Sequence, residues 1–160
     1  MRNDRVYLDH NATTPLRQEV RMAVAAAMSV VGNPSSVHSE GRAARRVVED
    51  ARERVAVLVG GEPSQVVFTS GGSEANALAL AGCRRRRVLV SAVEHSSVAL
   101  AVDGTESIPV DADGVVVVAA LEEMLARSEE PAAVSVMLAN NETGVIQPVA
   151  EIAEICQRNG

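Results

Sequence analysis

Short apolar runs of strand length alternate along this chain with longer apolar stripes of helical period, and that alternation restricts the fold more than any other feature. Leu16, Val20, Val24, Ala27, Met28 and Val31 share one helix face, with Pro15 ahead of them and Gly32, Asn33 and Pro34 breaking the run. A second helix is expected from about Ser39, its stripe running through Ala44, Val47, Val48, Ala51, Val55, Leu58 and Val59 to Gly60 and Gly61. Strands are then expected at 66–69, 88–90, 106–110 and 132–139, and helices at 73–81, 95–102, 121–127 and from Pro148 onward. The four valines of 115–118 fit either a strand or the lead into a helix. Helices interleaved with short buried strands imply an α/β fold with a mostly parallel sheet flanked by helices on both faces. After Asn159 and Gly160 the pattern calls for a further strand, so the sheet is expected to be incomplete in this chain.

Composition excludes several functions. With 160 residues and 47% hydrophobic content the chain can bury a core, yet it holds one Tyr, one Phe and no Trp. Single-stranded nucleic-acid binding wants aromatic stacking platforms, and a net charge of −6 repels a phosphate backbone, so no nucleic-acid partner is expected. The run Arg84 to Arg87 reads as a solvated turn leading into a strand. Cys83 and Cys156 lie far apart without metal-ligand spacing, so no metal site is expected and a reducing cytoplasm is the expected location. Residues 22–31 are too few to span a bilayer, which needs about 20 apolar residues. Asp4, Asp9 and Glu19 precede them where an export signal would be basic, so no membrane partner is expected. Every one of the 15 basic residues is arginine; the chain has no lysine and therefore no side-chain amine for covalent chemistry.

Three polar clusters each follow a predicted strand. In TSGGSEAN at 69–76 a strand feeds a glycine turn and a helix starts at once, so free N–H groups and the helix dipole converge beside the Ser73 hydroxyl. That arrangement suits a phosphate, although the same tetrapeptide also serves as an ordinary turn with Ser73 as cap. It is not a Walker loop, because no Gly-Lys-Ser/Thr follows. His95 comes shortly after strand 88–90, where a ring can stack on a flat ligand and move protons near neutral pH; it could equally cap a helix. Asn140 and Asn141, after strand 132–139, offer uncharged donors and acceptors for a phenolic oxygen or a carbonyl, or form a polar loop. Ligands of open α/β sheets bind beyond the carboxyl ends of the strands, so the convergence of three clusters carries more weight than any one.

The order YLDHNATTP at 7–15, GNPSS at 32–36, FTSGGSEAN at 68–76, EH at 94–95 and ANNETG at 139–144 resembles the cysteine desulfurases. These belong to the class V aminotransferase group of fold-type I pyridoxal-phosphate enzymes, and the resemblance runs from about Tyr7 to the end of the chain. It implies an N-terminal arm at 1–15 at the active-site entrance, and the first half of the cofactor-binding large domain at 16–160. It implies pyridoxal 5'-phosphate as cofactor, with Gly72 and Ser73 holding its phosphate, His95 stacking on the ring as acid and base, and Asn141 on its phenolic oxygen. Asn11 and Asn33 would line the substrate entrance. The implied reaction takes L-cysteine to L-alanine, with sulfur kept as an enzyme persulfide for iron–sulfur clusters or thiolated cofactors. The family's Schiff-base lysine, its pyridine-partnering aspartate and its sulfur-accepting cysteine lie downstream of these motifs. A C-terminal half as a second chain, a homodimer-type assembly and a sulfur-acceptor protein are therefore the implied partners. A related class V enzyme (selenocysteine lyase or aminotransferase) and a non-catalytic binding module or fragment are the alternatives. The module predicts that no lysine-bearing chain accompanies this one.

Overall fold

The computed structural model describes residues 6–159, which cluster into two compact units, Met1–Phe68 and Thr69–Gly160. The first five residues of the expected arm lie outside the described residues.

The N-terminal unit holds two helices, α1 (Gln18–Met28) and α2 (Ser39–Val59), followed by a 3₁₀ turn at Pro63–Gln65. Helix α2 matches its expected span because local signals set both ends. The His38 ring accepts from the Gly41 N–H at its start, and Gly60, in the left-handed region at φ 69°, closes it. The 33–36 turn lies directly on the first turn of α2: a Cβ on Gly41 would sit 2.3 Å from the Ser36 carbonyl oxygen. Arg45 Nε fastens the same turn by donating to the Pro34 carbonyl at 2.8 Å. By contrast no residue of α1 is buried, and Val20, Val24 and Met28 of its apolar stripe are exposed.

The strand expected at 66–69 does not form. The segment is without a ladder partner among the described residues and is held instead by Arg52, which donates to the Val66 carbonyl and lies 5.2 Å over the Phe68 ring. An apolar run becomes a strand only where a neighbour completes its hydrogen bonds.

The C-terminal unit is built on a three-stranded parallel sheet in the order β2-β1-β3. Its elements are α3 (Gly72–Gly82), β1 (Arg87–Ser91), α4 (Ser96–Ala99), β2 (Glu106–Ile108), α5 (Val118–Ala126), β3 (Ala132–Ser135) and α6 (Val149–Arg158). Strand β1 is central, pairing Leu89 with Glu106 on one side and with Val134 on the other. Its side chains alternate between two cores. Leu89 packs with Ile108, Leu121, Met124, Leu125, Ile152 and Ile155 under α5 and α6. Val88 and Val90 pack with Val98 and Leu80 under α3 and α4. The mostly parallel sheet with helices on both faces is therefore as expected.

Several elements are shorter than their apolar runs. The helix expected at 95–102 is the single turn α4, since Gly104, at φ 76°, lies in the bend that carries the chain into β2. Strand β3 stops at Ser135, and Ala139 instead bridges Ile146 in a tight loop closed by the Gly144 N–H donating to the Asn140 carbonyl. Of the four valines, Val116 bridges Val110 and Val118 opens α5.

Two polar side chains lock the unit. Arg87, at the start of β1, grips Glu106 through Nε at 2.6 Å and Nη2 at 3.0 Å, and Nη2 also donates to the Met124 carbonyl. It is thus a structural ion pair and not part of a solvated turn, unlike exposed Arg84, Arg85 and Arg86. Gln147 is 3% exposed; its Oε1 accepts from the Val116 N–H and its Nε2 donates to the Gly114 carbonyl, both at 2.8 Å. Cys156 is half-buried against the α5–α6 core, and burial pushes its thiol up, away from the reactive thiolate. Among the described residues no helix is long and apolar enough to cross a membrane.

Replacing Gln147 by Leu strands the buried Val116 N–H and should cost about 1–3 kcal/mol. A lower urea midpoint at unchanged slope is the expected result.

Candidate active site

Because β1, β2 and β3 are parallel, their carboxyl ends share one edge of the C-terminal unit. The chain leaves β1 for β2 on one side and returns to place β3 on the other. The β1 and β3 ends thus flank a point where the direction of winding reverses, the place where open α/β sheets bind ligands.

Helix α3 supplies an anion cradle. Its first intrahelical bond runs from Ala75 N–H to the Gly71 carbonyl, so the N–H groups of Gly72, Ser73 and Glu74 have no acceptor within the helix. No side chain caps them. A Cβ built on Gly71 or Gly72 meets nothing within 4 Å, so the approach is open. The Ser70 N–H and hydroxyl are already committed to the Glu74 carboxylate, at 2.7 and 2.6 Å. Those two bonds hold Glu74 below the usual carboxylate range. The remaining donors and the Ser73 hydroxyl form a set suited to a phosphate monoester.

One turn further along α3, the Asn76 Nδ2 donates to the Ser97 hydroxyl at 2.9 Å, joining α3 to α4. That hydroxyl lies 2.8 Å from His95 Nδ1, which also accepts from the Ser97 N–H at 3.1 Å. His95 is the N-cap of α4 and its side chain is exposed. Two hydrogen bonds thus lead from the cradle helix to the imidazole.

The third cluster comes from the loop after β3. Asn140 Nδ2 donates to the Val93 carbonyl at 3.2 Å, and its Oδ1 accepts from the N–H groups of Glu142 and Thr143 at 2.9 Å. The first asparagine of the pair is therefore a strut between the loops leaving β1 and β3. Asn141, beside it, is exposed. Glu94 sits between these loops with Oε1 buried and without a hydrogen-bond partner. Burial raises it above the usual carboxylate range, outweighing the nearby backbone N–H groups of Met137 and His95.

Gly72, Ser73, His95 and Asn141 are thus carried by connected elements of one unit. Asn11 and Asn33 belong to the N-terminal unit, where both are exposed and Asn33 Oδ1 accepts from the Ser35 N–H at 2.9 Å. Asn76, Ser97 and the strut role of Asn140 are additions to the sequence reading. The available signals were slight: Asn76 follows Ser73 by one helical step, and Ser97 follows a capping histidine by two residues. No group of three or more metal-ligating side chains gathers among the described residues.

The family model for class-V aminotransferases matches residues 6–160. The chain is 41% identical to an IscS-like cysteine desulfurase of Mycobacterium tuberculosis, covering 96% of this chain and 44% of that protein. It is 38% identical to a selenocysteine lyase of Xenopus laevis, covering 95% of this chain and 42% of the other. Among solved structures, the NifS-like protein of Rickettsia africae superposes with a TM-score of 0.87 at 36% identity, over 96% of this chain and 45% of that one. The chain therefore spans under half the length of these relatives.

Two carboxylates should give opposite pH signatures. Glu94 is raised on folding, so its contribution to stability is complete below the usual carboxylate range and is lost as pH rises through the folded value. Glu94→Gln should gain stability relative to the parent across that rise. Glu106 is lowered, chiefly by its Arg87 hydrogen bond, so its contribution is present above the ordinary value and lost as pH falls through the folded one. Glu106→Gln should therefore lose stability at neutral pH and converge with the parent in acid. Urea midpoints across the acid-to-neutral range measure both.

Proposed function

Because the chain belongs to the class-V aminotransferase family, we propose that it is the N-terminal half of a cysteine desulfurase dependent on pyridoxal 5'-phosphate. The substrate is L-cysteine and the product L-alanine, with the sulfur held as an enzyme persulfide and passed to a sulfur-acceptor protein for iron–sulfur cluster or thio-cofactor synthesis. The observation that supports this reading is the joining of the α3 cradle, His95 and the Asn140–Asn141 loop at the carboxyl ends of β1 and β3.

The cofactor, when bound, supplies the electron sink that a cysteine side chain lacks. In this chain the N–H groups of Gly72 and Ser73 and the Ser73 hydroxyl take its phosphate, and the α3 dipole favours that charge. Asn141 donates to its phenolic oxygen, and Asn140 keeps the loop that carries Asn141 in place. His95 covers the ring and handles protons. The net change breaks one C–S bond and forms one S–S bond, and the hydrogen of the attacking thiol ends on the alanine methyl group. A histidine is a side chain suited to carry that hydrogen. By the resemblance alone, Asn11 and Asn33 would line the substrate entrance.

This chain has no lysine, so the covalent anchor for the cofactor comes from a C-terminal half, together with the sulfur-accepting cysteine. The chain alone is inactive, and the working enzyme is a homodimer-type assembly in the cytoplasm.

Mass spectrometry of the purified material, native and denatured, after borohydride reduction tests the reading, because reduction fixes the cofactor covalently to its lysine. A co-purifying polypeptide bearing the added cofactor mass is the expected result. A lone 16.8 kDa species without cofactor would leave a fragment or a non-catalytic module. The selenocysteine lyase relative makes selenocysteine the competing substrate, and alanine release from each amino acid separates the two. In the complete assembly, His95→Ala should keep the cofactor's absorbance yet nearly abolish alanine release, by at least about 10²-fold. Unchanged release would remove His95 from the mechanism.

A further inference from the structure

We infer that Ser97 and Asn76 are positioning residues that hold neutral His95 as the tautomer protonated on Nε2, so that its exposed edge presents a proton donor. One donor at His95 cannot reverse. The backbone N–H of Ser97 can only give a hydrogen, and it is directed at His95 Nδ1 at 3.1 Å. A ring nitrogen that accepts from an amide carries no proton of its own. The Ser97 hydroxyl, 2.8 Å from the same nitrogen, must then donate to it as well. Asn76 sets the hydroxyl in that sense: its Nδ2 donates to the Ser97 oxygen at 2.9 Å, occupying a lone pair and turning the hydroxyl hydrogen towards the ring. The chain of donors runs one way, from Asn76 through Ser97 to Nδ1, and the single proton of the neutral imidazole is left on Nε2.

His38 provides a contrast within the same molecule. It also caps a helix through Nδ1, which faces the Gly41 N–H at 3.3 Å. Its second neighbour, however, is the Glu40 carboxylate at 3.0 Å, an acceptor only, so the amide and the carboxylate call for opposite states of the same nitrogen. At His95 both neighbours of Nδ1 can donate to it, whereas at His38 the two neighbours conflict. The titratable groups facing His95 are few: Glu94 adjoins it in the chain, and no other charged side chain contacts its ring among the described residues.

For the site the consequence is directional. A neutral His95 meets a phenolate, a thiolate or a persulfide sulfur with a hydrogen to share, and it cannot first accept a proton through Nε2. A proton on Nδ1 would face the fixed Ser97 N–H even with the Ser97 hydroxyl reversed, so the neutral ring acts first as a donor through Nε2. The catalytic value of this arrangement rests on the role of His95 proposed above; the tautomer itself does not.

Long-range ¹H–¹⁵N correlation spectra of the ¹⁵N-labelled full chain read the tautomer of each histidine directly. His10, His38 and His95 are the three histidines, and the His95 signals are assigned by their loss in His95→Gln. The expected pattern at pH values above the imidazole transition is one unprotonated Nδ1 and one protonated Nε2 for His95. Ser97→Ala should erode that single pattern towards the mixture of a free imidazole, and Ser97→Thr, which keeps the hydroxyl, should restore it. An Nδ1-protonated His95 in the parent chain overturns the inference without need of any variant. A Ser97→Ala spectrum identical to the parent's overturns the part played by the hydroxyl and by Asn76. Both results stand whether or not the assembly releases alanine, so failure of the desulfurase reading is seen separately in the borohydride experiment.

Discussion

The C-terminal unit depends on β1 being enclosed on both faces and along both edges. Leu89 is fully buried towards α5 and α6, while Val88 and Val90 are buried towards α3 and α4. Each such side chain contributes about 1.5–3 kcal/mol by leaving water. A slip of one residue would exchange the two faces and lose both sets of contacts. The strand therefore has one register, and the loops that leave the sheet inherit their positions from it. His95 stands four residues beyond the last residue of β1, and the Val93 carbonyl between them is the anchor for Asn140. A site of loop residues is in this way held by apolar packing that none of those residues makes.

How much of this was legible beforehand follows from how local each signal is. Helix α2 was read from Ser39 to its glycines and occurs at Ser39–Val59, because a cap, an apolar stripe and a C-terminal glycine lie within the helix itself. Helix α6 after Pro148 was legible from its proline start and apolar stripe alone, since no side chain caps it. Strands were over-read. Valine-rich runs at 66–69 and 132–139 mark segments able to pair, but where pairing stops depends on a neighbour distant in sequence. Strand β3 has β1 beside it for four residues only, Ala132 to Ser135, and 66–69 has an arginine in place of a strand.

The same distinction divides the candidate site. Gly72, Ser73, His95 and Asn141 could be singled out because each follows a run of apolar residues; parallel strands bring His95 and Asn141 to one edge, while α3 reaches His95 through Asn76 and Ser97. The groups that hold them could not. Asn76 reaches Ser97 across 21 residues, Gln147 reaches Val116 across 31, and Asn140 reaches Val93 across 47. No spacing rule covers such separations. Arg87 was hidden differently: it is the fourth of four arginines, and only the strand that begins there turns its guanidinium inward to Glu106.

Helix α1 has a different standing from the central strand β1. It is eleven residues long and none of them is buried, whereas helices shorter than about 12–15 residues are marginal in water on their own. Val20, Val24 and Met28 leave an exposed apolar face. The free energy that opens this helix is therefore not the free energy that opens the sheet. The chain carries a hierarchy of cooperative units, in which the N-terminal turn of helix exchanges its amide hydrogens, and meets proteases, from a sub-global opening long before Leu89 or Ile108 is uncovered. Covering the apolar face of α1 would merge the two levels, turning a helix that frays by itself into one that melts only with whatever covers it.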